Sequence, residues 1–200
     1  SGVCVYHYNS DRNVVEEKVF IPSTESYEFL KEDLGTLTYV NKNNQLFLLF
    51  AQKLYQVDFE TGTSQVLEEG IKQNHFVVSD TKAHAAWLIE SGDDAGKIRE
   101  IEFDSLKTRD ISPESGKNLR ALGFMNEDLV YGILSDEDIL TDANGHETEG
   151  ISTLRIESFK GKVKKEYRQD GLYITNVTVG STMMEFELSA KSGNAYTVQK

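Results

Sequence analysis

Residues 46–50 read LFLLF, and a similar apolar run returns as AAWLI at residues 85–89 and as LVYGIL at residues 129–134. Each run is followed by a segment in which apolar and polar residues alternate, and then by a short polar segment flanked by turn-forming residues. Continuous apolar runs are typical of strands covered on both faces, whereas alternation is typical of strands with one face in water. The runs begin 39 and 44 residues apart. This period matches one four-stranded blade of a β-propeller, which takes roughly 40–50 residues.

The repeat predicts an all-β chain of antiparallel four-stranded blades, forming a β-propeller or a partial propeller of about four blades. We expect a single domain over residues 1–200, with the strands in 3–20 belonging to a preceding or composite blade. A helical turn is also predicted between Ser23 and Asp33, where a capping Ser or Thr is followed by acidic residues. The predicted blades cover approximately residues 35–69, 74–112, 119–168 and 172–200.

The third strand of each blade is predicted to be half exposed. Gln56 lies between Tyr55 and Val57, and Glu100 precedes Ile101 in a second alternating segment. Successive side chains of a strand point to opposite faces, so Gln56 and Glu100 are expected to face water.

The last blade departs from the pattern, because Glu185 and Glu187 alternate with Met184, Phe186 and Leu188 where a buried run is expected. This alternation indicates a blade with one face in water, at or near the end of the array.

Two arrangements of the chain ends remain open at this stage. The first and last strands could join as one composite blade and close a small ring, which would hide the sheet edges. Alternatively, they are the edges of an arc from a larger ring of about seven or eight blades. The open arc is favoured because a strand near residues 195–199 has no place in a composite blade. An open arc is expected to self-associate through its terminal blades.

Composition restricts the partners. The formal net charge of −12 argues against nucleic acid and against anionic membrane surfaces. Cys4 is the only cysteine, so neither an intrachain disulfide nor a thiolate metal site can form. No apolar stretch approaches the roughly 20 residues of a membrane span, so direct membrane insertion is not expected. Ser1-Gly2 resembles the remnant of a cleaved tag, which would make the chain a piece of a longer protein.

An acidic insertion at residues 135–150 is the main candidate for a ligand-binding site. Hard oxygen ligands suit calcium, and residues 142–145 imitate part of a calcium-binding loop. Aligning the glycine of that loop places Leu140 and Ile151 at its first and last ligand positions, so the match fails. A solvated acidic loop is therefore favoured over a calcium site. The candidate ligand-binding residues are Asp136, Asp138, Asp142, Asn144 and Glu147.

No catalytic pattern stands out. The chain lacks the Gly-x-Ser-x-Gly turn of a nucleophilic serine, and Gly116-Lys117 lacks the remaining residues of a phosphate-binding loop. The four histidines show no paired metal-binding spacing. We therefore expect a protein that is not an enzyme and that carries no resident cofactor.

Two local patterns resemble the blades of TolB-like and quinoprotein-like propellers. Residues 54–62, LYQVDFETG, resemble the third strand and turn of such blades, and residues 77–87 resemble their first-to-second strand turn. Residues 118–124 together with 129–132 are similar to uncharacterised surface-anchored propeller proteins of gut clostridia. That second resemblance implies an extracytoplasmic location and implies no particular activity.

The leading hypothesis is a non-catalytic propeller domain that binds a protein or a small ligand outside a bacterial cell. One alternative is the substrate-gating propeller of a hydrolase whose catalytic domain lies outside this segment. Another is a calcium-assisted carbohydrate-binding module. A fold of this kind hosts many functions, so the architecture alone does not choose among them.

Overall fold

The computed structural model describes residues 1–142 and 144–199. Ala143, within the predicted acidic insertion, and Lys200, at the end of the last predicted blade, lie outside the described residues. Strands make up 56% of the structure and helices 8%. The prediction of an all-β chain with antiparallel four-stranded sheets is confirmed. Two compact units are formed, Ser1–Gln73 with Phe103–Ser105, and Asn74–Glu102 with Leu106–Lys200.

The first unit contains a two-stranded hairpin, a helix and a four-stranded sheet. Its elements are β1 (Gly2–Asn9), β2 (Val14–Pro22), α1 (Tyr27–Thr36), β3 (Thr38–Val40), β4 (Gln45–Phe50), β5 (Lys53–Asp58) and β6 (Thr63–Glu69). Strands β1 and β2 pair with each other, and the sheet has the order β3-β4-β5-β6.

Helix α1 lies in the predicted helical segment but extends three residues beyond it. It begins after Ser26, whose hydroxyl accepts a hydrogen bond from the backbone N–H of Phe29 at 3.5 Å. Glu28 in the first turn complements the positive end of the helix dipole, and Leu30 is buried. No helix among the described residues has both the length and the apolar character needed to cross a membrane.

The turn between β5 and β6 explains the end of the LYQVDFETG segment, in which Asp58 is followed by Thr61 and Gly62. The Asp58 carboxylate accepts the backbone N–H groups of Glu60 at 2.8 Å and Thr61 at 2.9 Å. Gly62 follows with φ of 66°, a left-handed conformation that favours glycine. The sequence pattern therefore encodes a hairpin turn and not a ligand site.

Both faces of β4 are covered within the first unit, as its continuous apolar sequence predicts. One face belongs to a cluster with Val5 and Ile21 of the hairpin. On the other face, the ring of Phe47 lies 4.6 Å from that of Phe103 between centroids. Burial of the consecutive residues Leu46, Phe47, Leu48, Leu49 and Phe50 is nearly complete.

The second unit contains two four-stranded sheets, one three-stranded sheet and a small hairpin. Its strands are β7 (Phe76–Val78), β8 (His84–Leu88), β9 (Ile98–Glu102), β10 (Lys107–Ile111), β11 (Asn118–Met125), β12 (Asp128–Leu134), β13 (Ile139–Thr141), β14 (Glu147–Glu149), β15 (Thr153–Glu157), β16 (Val163–Tyr167), β17 (Leu172–Val179), β18 (Met184–Ser192) and β19 (Ala195–Val198). The sheets have the orders β10-β9-β8-β7, β11-β12-β15-β16 and β17-β18-β19, and β13 pairs with β14.

Consecutive sheets of the second unit pack face to face. Ala86 and Ile98 of the first sheet share an apolar cluster with Leu129 and Tyr131 of the next. A further cluster joins the second sheet to the third, and it contains Val130, Leu154, Ile156 and Ile174. A Cβ added to Gly123 of β11 would lie 2.9 Å from the Cβ of Val179 in β17. Gly123 therefore permits the close approach of these two sheets.

The prediction that Gln56 and Glu100 face water is wrong, because both are buried. Each lies on a third strand and accepts a hydrogen bond from a side chain on the fourth. The amide of Gln65 donates to Gln56 at 2.7 Å, and Arg109 donates to Glu100 at 2.7 Å. Alternation here reflects polar side chains paired inside the protein.

The two ends of the chain differ from each other. Residues 195–198 pair with β18 as the third strand of the last sheet, which corrects the view that a strand near 195–199 is an extra element. Glu185 and Glu187 are exposed on β18, so the prediction that one face of this last segment lies in water is confirmed. The exposed side chains of the N-terminal hairpin include aromatic ones, because Tyr6 and Tyr8 are each 56% exposed.

Candidate functional site

The acidic insertion connects β12 to β15 and has its own local structure. A 3₁₀ turn covers Asp136–Asp138, and the hairpin of β13 and β14 follows it. At its base, the Lys117 ammonium donates to the Ser135 hydroxyl at 2.7 Å. The insertion is thus an ordered hairpin attached next to the linker that precedes β11.

Asp138, one of the candidate ligand-binding residues, is buried and already paired. Its carboxylate accepts a hydrogen bond from the Lys191 ammonium at 3.2 Å and a long one from the Ser135 backbone N–H at 3.4 Å. Its backbone oxygen accepts from the Tyr196 hydroxyl at 2.8 Å and from the Gly150 N–H at 2.8 Å. Asp138 therefore anchors the insertion to the last sheet, and its carboxylate is not available to a ligand.

Asp142 shapes the tip of the hairpin. Its carboxylate accepts the backbone N–H groups of His146 at 2.9 Å and Asn144 at 2.8 Å. These hydrogen bonds lower the pKa of Asp142 below its ordinary value, because they stabilise the charged form. Asp142 thus has a turn-forming role of the kind common for Asp and Asn.

The remaining candidates do not complete a cation site. Asp136 accepts a hydrogen bond from the Asn118 side chain at 2.5 Å, while Asn144 and Glu147 are exposed. Across residues 1–142 and 144–199, no group of three or more His, Cys, Asp or Glu side chains is arranged to hold a metal ion.

A second place in the same unit forms a concavity. Two linkers border it, residues 112–117 between β10 and β11, and residues 168–171 between β16 and β17. We call it the linker cavity, and its volume is about 410 Å³. This size falls within the range of about 300–1,000 Å³ typical of small-molecule sites. Its charged lining residues are Glu114, Lys117, Arg155, Glu166, Arg168 and Asp170.

The charges of the linker cavity are unequally compensated. Arg155 forms an ion pair with Glu166 at 2.7 Å, and Arg168 forms one with Asp170 at 3.1 Å. Within the described part of the chain, Lys117 has the Ser135 hydroxyl as its side-chain partner and no carboxylate. Lys117 is also half-buried. A half-buried ammonium without a counter-charge attracts an anionic group.

Hydrogen-bonding groups of other kinds complete the lining. Ser152, Thr153 and Gln169 contribute neutral polar side chains, and Tyr173 contributes an aromatic ring. Arg155 donates a hydrogen bond to the Tyr131 hydroxyl at 3.4 Å. The hydrogen bond to Tyr131, and to a smaller extent the one to Glu166, raises the pKa of Arg155, so its guanidinium stays charged. The cavity can therefore offer cations, acceptors and donors to one small polar ligand.

Sequence reasoning missed this cavity and also a buried ionic cluster between the first two sheets of the unit. In that cluster, Arg109 donates to Glu100 at 2.7 Å and to Glu157 at 2.5 Å, and the Tyr131 hydroxyl donates to Glu157 at 2.7 Å. Burial raises the pKa of Glu100 to about 7. The available signal was a glutamate between Ile98 and Ile101 on a strand expected to be partly apolar.

Comparisons with known proteins give a distant likeness only. No family model matches the chain, and no curated protein matches it. Among solved structures, the chain is similar to that of U3-55K, with 10% identity, a TM-score of 0.42, and 82% of this chain and 50% of that one covered.

Two further solved structures resemble the chain more weakly. Porphyromonas gingivalis dipeptidyl peptidase 4 matches with 9% identity and a TM-score of 0.32, over 98% of this chain and 41% of that one. The Mitotic Checkpoint Complex matches with 9% identity and a TM-score of 0.25, over 82% of this chain and 76% of that one. Propeller-type proteins are among these neighbours. At such TM-scores the likeness carries no argument about fold or function. The chain spans about half the length of the first of these proteins, and less of the second.

Proposed function

We propose that this chain is a non-catalytic binding module of the β-propeller type, which takes a small ligand or a protein segment at the linker cavity. The observation that carries the proposal is the cavity of about 410 Å³ bordered by two linkers between consecutive sheets. Ligand sites commonly lie in concavities of this size with a few convergent polar groups.

The repeated architecture supports the propeller part of the proposal. Four-stranded antiparallel sheets follow one another along the chain, and those of the second unit share apolar clusters face to face. This is the packing that blades of a propeller require, because their middle strands must be covered on both sides. An extracytoplasmic location rests on the resemblance to surface-anchored proteins and stays a prediction.

A ligand screen tests the binding function. The melting temperature of the protein is measured against panels of metabolites, glycans and peptides, with and without a calcium chelator. The same screen is run on Thr153→Tyr, which fills the linker cavity. We expect a ligand that raises the melting temperature of the wild type and has no effect on the filled variant.

Two outcomes would contradict the proposal. A ligand that is consumed during incubation, with its product detected, would make the chain an enzyme. Hits that raise the melting temperature of Thr153→Tyr as much as that of the wild type would place binding elsewhere. Stabilisation that disappears with the chelator would instead favour the calcium-assisted carbohydrate module.

A further inference from the structure

The position of Lys117 narrows the chemistry of the ligand. Its ammonium is held at 2.7 Å from the Ser135 hydroxyl, and no carboxylate balances it among the described residues. The two other cations of the linker cavity each have a carboxylate partner. In a chain of net charge −12, an uncompensated cation lining a cavity is a specific feature. It provides a place for one negative charge of a ligand.

The acidic residues of the same cavity restrict that ligand further. Glu114 and Asp170 are exposed at the cavity, and Glu166 is 41% exposed beside Arg155. These carboxylates repel a ligand that carries several negative charges, but they accept hydrogen bonds from hydroxyl groups. A single carboxylate combined with several hydroxyls therefore fits better than a phosphate or another compact dianion.

We propose that the linker cavity binds a small hydroxylated carboxylic acid, with the ligand carboxylate on Lys117 and its hydroxyls on the neighbouring polar groups. The inference rests on the proposed function, since it assigns a ligand class to the same cavity. Ser152 and Thr153 line the cavity with Lys117, and the cavity volume of about 410 Å³ accommodates a molecule of monosaccharide size. Tyr173 supplies an apolar surface for the carbon face of such a ligand.

Titration with matched probes tests the assignment. D-glucuronate, D-glucose and inorganic phosphate are added to isotope-labelled protein, and amide shifts are followed by NMR at pH 7. We expect glucuronate to bind at least about tenfold more tightly than glucose, which lacks the carboxylate that Lys117 would hold, and than phosphate, which the cavity carboxylates repel. The shifts should concentrate at Thr153, Gly171 and Tyr173.

Matched variants separate Lys117 from general charge effects. Lys117→Met should weaken glucuronate binding about tenfold or more, while Lys117→Arg should retain most of it. Lys160→Met removes an exposed lysine from the turn between β15 and β16 and should leave binding unchanged. Melting temperatures of all three variants confirm that each remains folded.

Several outcomes would overturn the assignment of the ligand class. Glucose binding as tightly as glucuronate, phosphate binding more tightly, or an unaffected Lys117→Met variant would each overturn the assignment. A neutral or cationic ligand that shifts the same cavity amides would also overturn it, while leaving the binding function intact. A screen in which no ligand engages the cavity counts against both.

Discussion

The two interfaces between consecutive sheets of the second unit are built from different chemistry. Between its first two sheets, an apolar cluster is joined by Arg109, which bridges the buried carboxylates of Glu100 and Glu157. Between its second and third sheets, the cluster of Val130, Ile151, Leu154, Ile156 and Ile174 is aliphatic. Apolar contacts accept many orientations, whereas hydrogen-bonded ions accept few. The first interface is therefore the more specific one, and the second is the more adaptable.

The ionic interface also carries a cost that the aliphatic one avoids. One oxygen of Glu100, the Nη2 of Arg109 and the Nδ1 of His84 are buried without a hydrogen-bond partner among the described residues. Such groups lose their hydration without full compensation. Stability at this interface should therefore depend on pH and on charge, and stability at the other should depend on volume.

Removing the central cation should have the largest effect. Arg109→Met leaves the carboxylates of Glu100 and Glu157 buried without their counter-charge, so we expect a loss of about 3–5 kcal/mol in the free energy of unfolding. Urea denaturation followed by circular dichroism measures it. Arg168→Met, which removes an exposed ion pair, should cost at most about 1 kcal/mol. A loss for Arg109→Met no larger than that of the control would contradict the ionic account.

Truncation in the aliphatic interface should come next. Leu154→Ala removes a side chain that is 2% exposed, and we expect a loss of about 3 kcal/mol from lost burial and the cavity left behind. Val163→Ala, at an exposed position of β16, should change stability by less than about 0.5 kcal/mol. Equal melting temperatures for the two variants would show that the second and third sheets do not pack as described.

The pH dependence of stability should separate the two interfaces. Burial raises the pKa of Glu100 from an ordinary 4.5 to about 7, with a smaller opposing effect from Arg109. The folded protein then keeps a proton that the unfolded chain has already released, so this group lowers stability as pH rises from about 4.5 to 7. The decrease should be on the order of 2–3 kcal/mol.

A comparison with Glu100→Gln isolates this contribution. The wild-type stability minus that of the variant should fall between pH 4.5 and 7, as measured by urea unfolding at fixed ionic strength. For the control variant Glu187→Gln, at an exposed position, the free energy of unfolding should change with pH in the same way as that of the wild type. A difference curve for Glu100→Gln that stays flat, or rises with pH, would contradict a buried Glu100 carboxyl with a raised pKa.

The tip of the acidic insertion supplies the smallest expected effect, because it is exposed and lies outside both interfaces. Asp142→Ala removes acceptors for the N–H groups of Asn144 and His146 at an exposed hairpin tip. We expect this substitution to change the melting temperature by less than about 2 °C. Calcium should leave the melting temperatures of both the wild type and the variant unchanged. A calcium-dependent rise in the wild type that is lost in Asp142→Ala would restore the metal hypothesis.

Much of the fold could be predicted because it depends on local patterns. The apolar runs of β4 and β12 required burial on both faces, and the alternation around Glu185 and Glu187 required one face in water. Helix α1 was indicated by a capping serine. These signals lie within single elements, so no knowledge of distant partners was needed.

The ionic cluster and the linker cavity could not be predicted in the same way. Arg109 and Glu157 are 48 residues apart, and a polar residue on an alternating strand normally indicates solvent. Likewise, Lys117 and Arg168 line one cavity only because two linkers distant in sequence border it. The acidic insertion was conspicuous in composition, yet Asp138 is used to attach it to the last sheet.

Face-to-face packing of consecutive sheets is the claim on which the interfaces, the cavity and the propeller proposal depend. Nuclear Overhauser spectroscopy tests it at Gly123 of β11 and Val179 of β17, which lie close together. We predict strong cross peaks between the Gly123 Hα protons and the Val179 methyl groups. Assigned resonances with no such cross peaks would show that these sheets do not lie against each other.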